Sequence, residues 1–281
     1  MSSGAPETTR GRLGRIGLNI VAIIGFIYLF LPIAVIVAFS FNKPAGKFNI
    51  VWKEFTLDNW ANPFESGPLM DAMGNSLKIA TLAALGATIL GSLIAIALVR
   101  YRFSGNAVVD VLLILPLTAP EIVLGASLLS LFLDLNWQRG FWTVVIAHVL
   151  FCTSFVALTV KARIRGFDWT LEDAAMDLGA TPSVTFRRVT LPLITPGIIA
   201  ASLLSFALSI DDFIITFFNA GTTETFPLRI FGASRTEISP QINVLATVIL
   251  LASVGLLLAG VALRAWREGR TFGGAVASPA D

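Results

Sequence analysis

The sequence predicts an all-α integral membrane protein with six transmembrane helices. Three observations carry that expectation. Hydrophobic residues make up 55% of the 281 residues and charged residues only 14%, with a mean hydropathy of +0.79. A water-soluble chain has no room for that much apolar surface. The apolar residues gather in solid runs of roughly 20 rather than in alternating segments of about 10, which disfavours a β-barrel. Lys and Arg fall unequally on the two sides of those runs, as membrane orientation requires.

The runs cover 16–41, 76–99, 107–133, 141–160, 193–218 and 242–264. At about 1.5 Å per residue each can cross a hydrocarbon core of about 30 Å. The first follows Arg10, Arg12 and Arg15 as a signal peptide would, but it continues to Phe41. That exceeds a signal core of about 7–15 residues, so an uncleaved span is expected. One side of the membrane receives 13 Lys and Arg, from the N-terminus, the 100–106 turn, the 161–192 loop and the C-terminus; the other receives 6. The richer side is expected to be cytoplasmic, with both termini inside, as an even number of spans demands. The expected organisation is a cytoplasmic tail over 1–15, one transmembrane domain over 16–265, and a second cytoplasmic tail over 266–281.

Two loops are long. The external one, 42–75, carries Trp52 and Trp60, which suit a helix lying in the interface. The internal one reads GFDWTLEDAAMDLGATPSVTFRRVTLP over 166–192. In it Thr170 is the expected N-cap of a helix over Leu171–Leu178, with Asp173 three residues on. Gly179 is placed to end that helix in a left-handed conformation. Thr181 and Pro182 then open a second helix that runs towards Val189 and stops before Pro192. Leu171, Ala174, Ala175 and Leu178 share one face of the first helix; Glu172, Asp173 and Asp177 take the other. Small residues on the first face let a neighbouring surface approach closely. The plain alternative is a surface helix-turn-helix joining two spans.

The acids inside apolar runs are the other notable feature. With Thr195-Pro196 as the start of the fifth span, Asp211 and Asp212 lie roughly 22 Å along it, with apolar residues continuing to Phe218. A carboxylate at that depth costs at least about 2.5–3.5 kcal/mol and normally faces a cavity or a partner. Adjacent residues sit about 100° apart on a helix, so one aspartate is expected to face a pathway and the other to take local hydrogen bonds. The alternative is a shortened span end at which both meet solvent. Glu121 sits in the third run just after Pro116 and Pro120, which are expected to kink or break that helix. It either lines a cavity or pairs with a backbone amide or Lys78. Three acids with few intramembrane bases suit a cationic solute. The only cysteine, Cys152, and the only histidine, His148, lie four residues apart on one helical face. They read as packed, hydrogen-bonded bundle residues; no disulfide within the chain and no metal site is expected.

The loop resembles a known family. The pattern Glu-Ala-Ala, three residues, Gly, nine residues, Ile-x-Leu-Pro marks the permease subunits of binding-protein-dependent ATP-binding-cassette importers. It stands here as Asp173-Ala174-Ala175, Gly179 and Val189-Thr190-Leu191-Pro192, with the spacing intact and Asp and Val as the two departures. The resemblance implies the MetI-like type I importer transmembrane domain, whose common core has six spans. It implies that the helix carrying Leu171, Glu172, Asp173, Ala174, Ala175, Leu178 and Gly179 is a coupling helix that docks in a cleft of the ATPase subunit. Ser209-Ile210-Asp211-Asp212-Phe213, Pro227-Leu228-Arg229-Ile230, Ser239-Pro240-Gln241-Ile242-Asn243, Ala119-Pro120-Glu121-Ile122 and Ala147-His148-Val149-Leu150-Phe151-Cys152 are similar to the spermidine/putrescine permease branch. That similarity covers nearly all of 15–265.

By this resemblance the chain is a transport subunit and not an enzyme, sited in the bacterial plasma membrane. Glu121, Asp211 and Asp212 are its substrate-pathway candidates. Its expected partners are a homologous second permease, an ATPase dimer, an extracytoplasmic solute-binding protein and membrane lipid, with no nucleic acid. No cofactor is expected on this chain. It carries no G-x-x-x-x-G-K-S/T loop, so ATP and magnesium belong to the ATPase. Related permeases carry opines, other amines and further small solutes, so the solute class stays open between these and polyamines. A stand-alone secondary transporter would call for inverted repeats, which the sequence does not display, and would leave the loop motif unexplained.

Overall fold

A computed structural model describes residues 9–63, 67–101, 103–251 and 254–255. The chain divides into two compact units, one of 1–66 with 233–281 and one of Gly67–Gly232. In the first unit, helix α1 (Thr9–Phe39) holds an apolar stretch, Gly17–Phe39, that is long enough to span. Pro32 sits inside it. It is followed by a polar knot rather than by the interface helix that Trp52 and Trp60 suggested. Strand β1 (Asn42–Lys43) pairs antiparallel with β2 (Glu54–Phe55), Asn42 opposite Phe55. Buried Asn42 organises the knot. Its amide donates to Asn49 Oδ1 at 2.7 Å and to the Val51 carbonyl at 2.9 Å, and its Oδ1 accepts from the Lys53 N–H at 2.8 Å. In the short helix α2 (Asp58–Ala61), Trp60 stacks on Phe41 and donates to Ser40 Oγ. These side-chain bonds hold the segment locally, so no amphipathic helix is needed there.

The second unit carries the packed bundle. Helix α3 (Gly67–Arg100) begins well before residue 76 and crosses the unit beside α6 (Phe141–Ile164). Its buried face is a stripe of small residues: Ala72, Ser76, Ala80, Ala83, Ala87, Gly91 and Ala95. Small residues at three- and four-residue spacing let two helices meet at backbone distance, which is how helices associate where lipid removes the hydrophobic drive. Gly91 shows the closeness. A Cβ there would stand 2.7 Å from Val156 Cγ1 and 2.9 Å from the Ala157 nitrogen.

The third predicted span is two helices. Helix α4 (Asn106–Thr118) and α5 (Glu121–Asp134) meet at an angle of 109°. Pro116 is absorbed within α4; the break falls at Ala119-Pro120, where Ala119 is extended at ψ 139°. A residue before proline is pushed out of the helical region, so the second proline of the pair ends the helix. The pair is thus a broken span or a re-entrant loop, not one kinked helix.

The fifth span also differs from its expected start and end. A short helix α8 (Pro182–Thr185) passes through one π-helical turn, Phe186–Thr190, into α9 (Leu191–Asp211). The sequence predicts a stop before Pro192 and a new start at Thr195-Pro196. Instead the Leu191 N–H reaches Phe186 five residues back. The wider turn makes room for the proline ring that an α-turn would crowd. At Pro196 the Thr195 hydroxyl donates to the Leu191 carbonyl at 2.6 Å, and the helix continues. It then breaks at Asp212 and resumes as α10 (Ile214–Asn219). An eleventh helix, Phe226–Thr236, follows. Among the described residues four helices are long and apolar enough to span, or five if the bent α4–α5 pair counts as one. The sixth expected span is represented by α12 (Pro240–Leu251), and most of its remainder, like Arg264, Arg267, Arg270 and the 266–281 tail, lies outside the described residues.

Candidate functional site

The two adjacent aspartates have opposite environments. Asp212 is buried, and its backbone turns extended at φ −63° and ψ 124°. This stops α9 and frees the carboxylate to serve the next helix. Asp212 Oδ2 accepts the Thr216 N–H at 2.8 Å and the Thr216 hydroxyl at 2.8 Å, and Oδ1 accepts the Ile215 N–H at 3.4 Å. A carboxylate capping the first turn of a helix meets unpaired donors and the positive end of the helix dipole. Buried His148 from α6 completes the arrangement. Its Nε2 lies 3.1 Å from Asp212 Oδ2 and 2.9 Å from Thr216 Oγ1. The carboxylate can only accept, so Nε2 carries the proton. Nδ1 lies 2.7 Å from the Ser209 hydroxyl in the last turn of α9. One imidazole therefore bridges both halves of a broken helix. As the sequence suggested, Cys152 is a packing residue; its Sγ lies 3.6 Å from the Ser205 carbonyl.

Helix α10 is pinned at its other end too. The Asn219 amide donates to the Gly125 carbonyl of α5 at 3.2 Å and to Ile215 at 2.9 Å, while the Thr143 hydroxyl of α6 donates to the Asn219 carbonyl at 2.8 Å. Helices α5 and α10 lie close here: a Cβ on Gly125 would stand 2.9 Å from the Phe218 ring and 3.4 Å from the Ile215 Cα. Asp211, one residue before the cap, is exposed and enters no described ion pair. Glu121 is exposed as well, in the first turn of α5 directly after the Pro120 break. Neither a backbone partner nor Lys78 meets it among the described residues. Both exposed acids therefore stand at helix breaks, and no cluster among the described residues has the ligands for a metal ion.

The loop motif forms a short helix closed by a glycine turn. Helix α7 spans Thr170–Asp177. Thr170 is not its cap: the Asp168 carboxylate accepts the Thr170 N–H at 3.1 Å and its hydroxyl at 2.8 Å. Gly179 adopts φ +88°. The Gly179 N–H bonds the Met176 carbonyl at 2.9 Å and the Ala180 N–H bonds Ala175 at 3.0 Å, a Schellman ending. Leu171 and Leu178 are exposed, Leu178 at 89%, and Asp173 and Ala174 face outward, while Ala175 is half-buried. Glu172 is the exception. It is buried, pairs with Arg100 at 2.9 Å, and takes the Thr190 hydroxyl. It thus ties α7 to the end of α3 and to the π-turn, and sequence reasoning missed both partners because they lie 72 and 18 residues away. Reasoning from the sequence also missed the ion pair of Lys161 with Asp110, which joins α6 to α4.

Residues 87–271 match the family model described as binding-protein-dependent transport system inner membrane component. The chain is 39% identical over 234 residues to the spermidine/putrescine transport system permease protein PotC of Haemophilus influenzae, covering 83% of this chain and 90% of that protein. It is 40% identical over 246 residues to the putrescine transport system permease protein PotI of Escherichia coli, covering 85% and 86%. In fold it is similar to a chain of a bacterial ABC transporter involved in the import of the acidic polysaccharide alginate, with a TM-score of 0.70 at 14% identity over 92% of this chain and 98% of that one.

Proposed function

The chain belongs to the family of binding-protein-dependent transport system inner membrane components, as a multi-pass permease subunit and not an enzyme, and from that premise we propose that it carries a polyamine cation. Such a subunit works with an ATPase, a partner permease and a binding protein. The observation that carries the cationic reading is the placement of Asp211 and Glu121: two exposed carboxylates at breaks in apolar helices, where a charge is tolerated only if it meets water or a charged ligand. The names of the relatives at 39% and 40% identity point to the same solutes, spermidine and putrescine. Asp212 has a different part: it maintains the break.

In this reading the 161–192 loop and both termini lie in the cytoplasm. A homologous second permease completes the pathway, an ATPase dimer holds ATP and magnesium, and a binding protein delivers solute from outside. Leu171, Asp173, Ala174, Ala175 and Leu178 form the surface offered to the ATPase, Gly179 ends the helix, and Glu172 fixes its angle from beneath. The test is initial uptake of labelled spermidine and putrescine in cells expressing the whole transporter, at equal membrane abundance. Asp211→Asn and Glu121→Gln are expected to lower uptake while the ATPase still co-purifies. ATP-dependent uptake of a neutral or anionic solute in preference to both polyamines would overturn the solute class and leave the permease assignment standing.

A further inference from the structure

We infer that His148 is a positioning residue for transport, holding the broken helix so that Asp211 is presented to the solute. The inference rests on the proposed role of Asp211. Three observations carry it. The imidazole is buried and reaches Ser209 on the α9 side of the break and Asp212 with Thr216 on the α10 side. Ile210 and Asp211 lie between those two anchor sets, and Asp211 is the exposed one. The far end of α10 is independently fixed by Asn219 to Gly125 and by Thr143. Asp211 is the last residue of α9, and His148 reaches both the last turn of α9 and the first of α10, so it fixes how the two helices meet beside the Asp211 carboxylate. A helix break left to itself exposes several unpaired backbone groups and adopts several geometries. His148 removes that freedom without touching solute.

The experiment is a double-substitution cycle in the whole transporter, read as initial uptake of labelled spermidine against its concentration, at matched membrane abundance and ATPase co-purification. His148→Leu keeps the bulk and removes the contacts with Ser209, Asp212 and Thr216. It is expected to raise the half-saturating concentration by about tenfold, the size of a lost bond to a charged group, with a smaller loss of maximal rate. His148→Gln, which can donate to Asp212 and accept from Ser209, restores most of it. In an Asp211→Asn background, His148→Leu adds no more than about twofold, because the two residues act through one route. A second readout needs no solute: with Cys152→Ser, an Asp211→Cys side chain is labelled by the cationic thiol reagent 2-aminoethyl methanethiosulfonate. Its labelling rate is expected to change with His148→Leu and to return with His148→Gln. Independent, multiplicative effects of the two substitutions, or an unchanged labelling rate at position 211, overturn the inference alone. Normal uptake by Asp211→Asn overturns the role of Asp211 and the inference with it.

Discussion

At the scale of residues, neighbours in sequence do unlike work because the backbone turns between them. Asp212 accepts two backbone N–H groups, a hydroxyl and an imidazole, whereas Asp211 accepts none from another described side chain. Replacing Asp212 with Ala strips the cap from α10 and leaves His148 facing an empty site. We expect a loss of about 2–4 kcal/mol, read as a lower melting temperature of the purified transporter and reduced membrane abundance. Asp211→Asn is expected to leave that melting temperature within about 2 °C while lowering uptake, because an exposed side chain supports no packing. Helical geometry leads us to expect the two adjacent carboxylates to diverge, but it is the break at Asp212, not a turn of about 100° within one helix, that separates them. Which one turns inward was not legible, because it depends on where His148, 64 residues away, meets the chain.

At the scale of elements, the loop motif was legible and its anchorage was not. The Gly179 turn followed from the glycine and the spacing, and its φ of +88° bears this out. Gly179→Val forces a β-branched residue into the left-handed region at a cost of about 1–3 kcal/mol. It is expected to weaken ATPase co-purification while leaving the abundance of the chain near normal. Glu172→Ala leaves Arg100 and Thr190 without their shared acceptor and should uncouple α7 from α3. The expected result is ATP hydrolysis that no longer rises with solute-loaded binding protein. The π-turn before Pro192 escaped sequence reasoning because a proline there is equally compatible with a stop. The α3–α6 seam makes a further prediction. Gly91→Leu drives a side chain into Val156 and the Ala157 backbone and should destabilise the bundle by about 2–4 kcal/mol, seen as loss of the folded chain from the membrane.

At the scale of the whole molecule, the fold class followed from composition and run length, and the helix breaks at Ala119-Pro120 and Asp212 are what refine it. The solute does not follow from the fold. A chain similar in fold belongs to a transporter involved in the import of an acidic polysaccharide, so the fold alone does not name the solute. The proposal to be tested is that this permease passes a polyamine cation because Asp211 and Glu121 meet it. The most direct measurement is ATP-driven uptake by the whole transporter in proteoliposomes, with spermidine and the less charged putrescine compared across wild type, Asp211→Asn and Glu121→Gln. The expected result is ATP-dependent polyamine uptake in which each neutralisation lowers spermidine entry by about tenfold and putrescine entry by less. Polyamine uptake that is the same in all three proteins would contradict it.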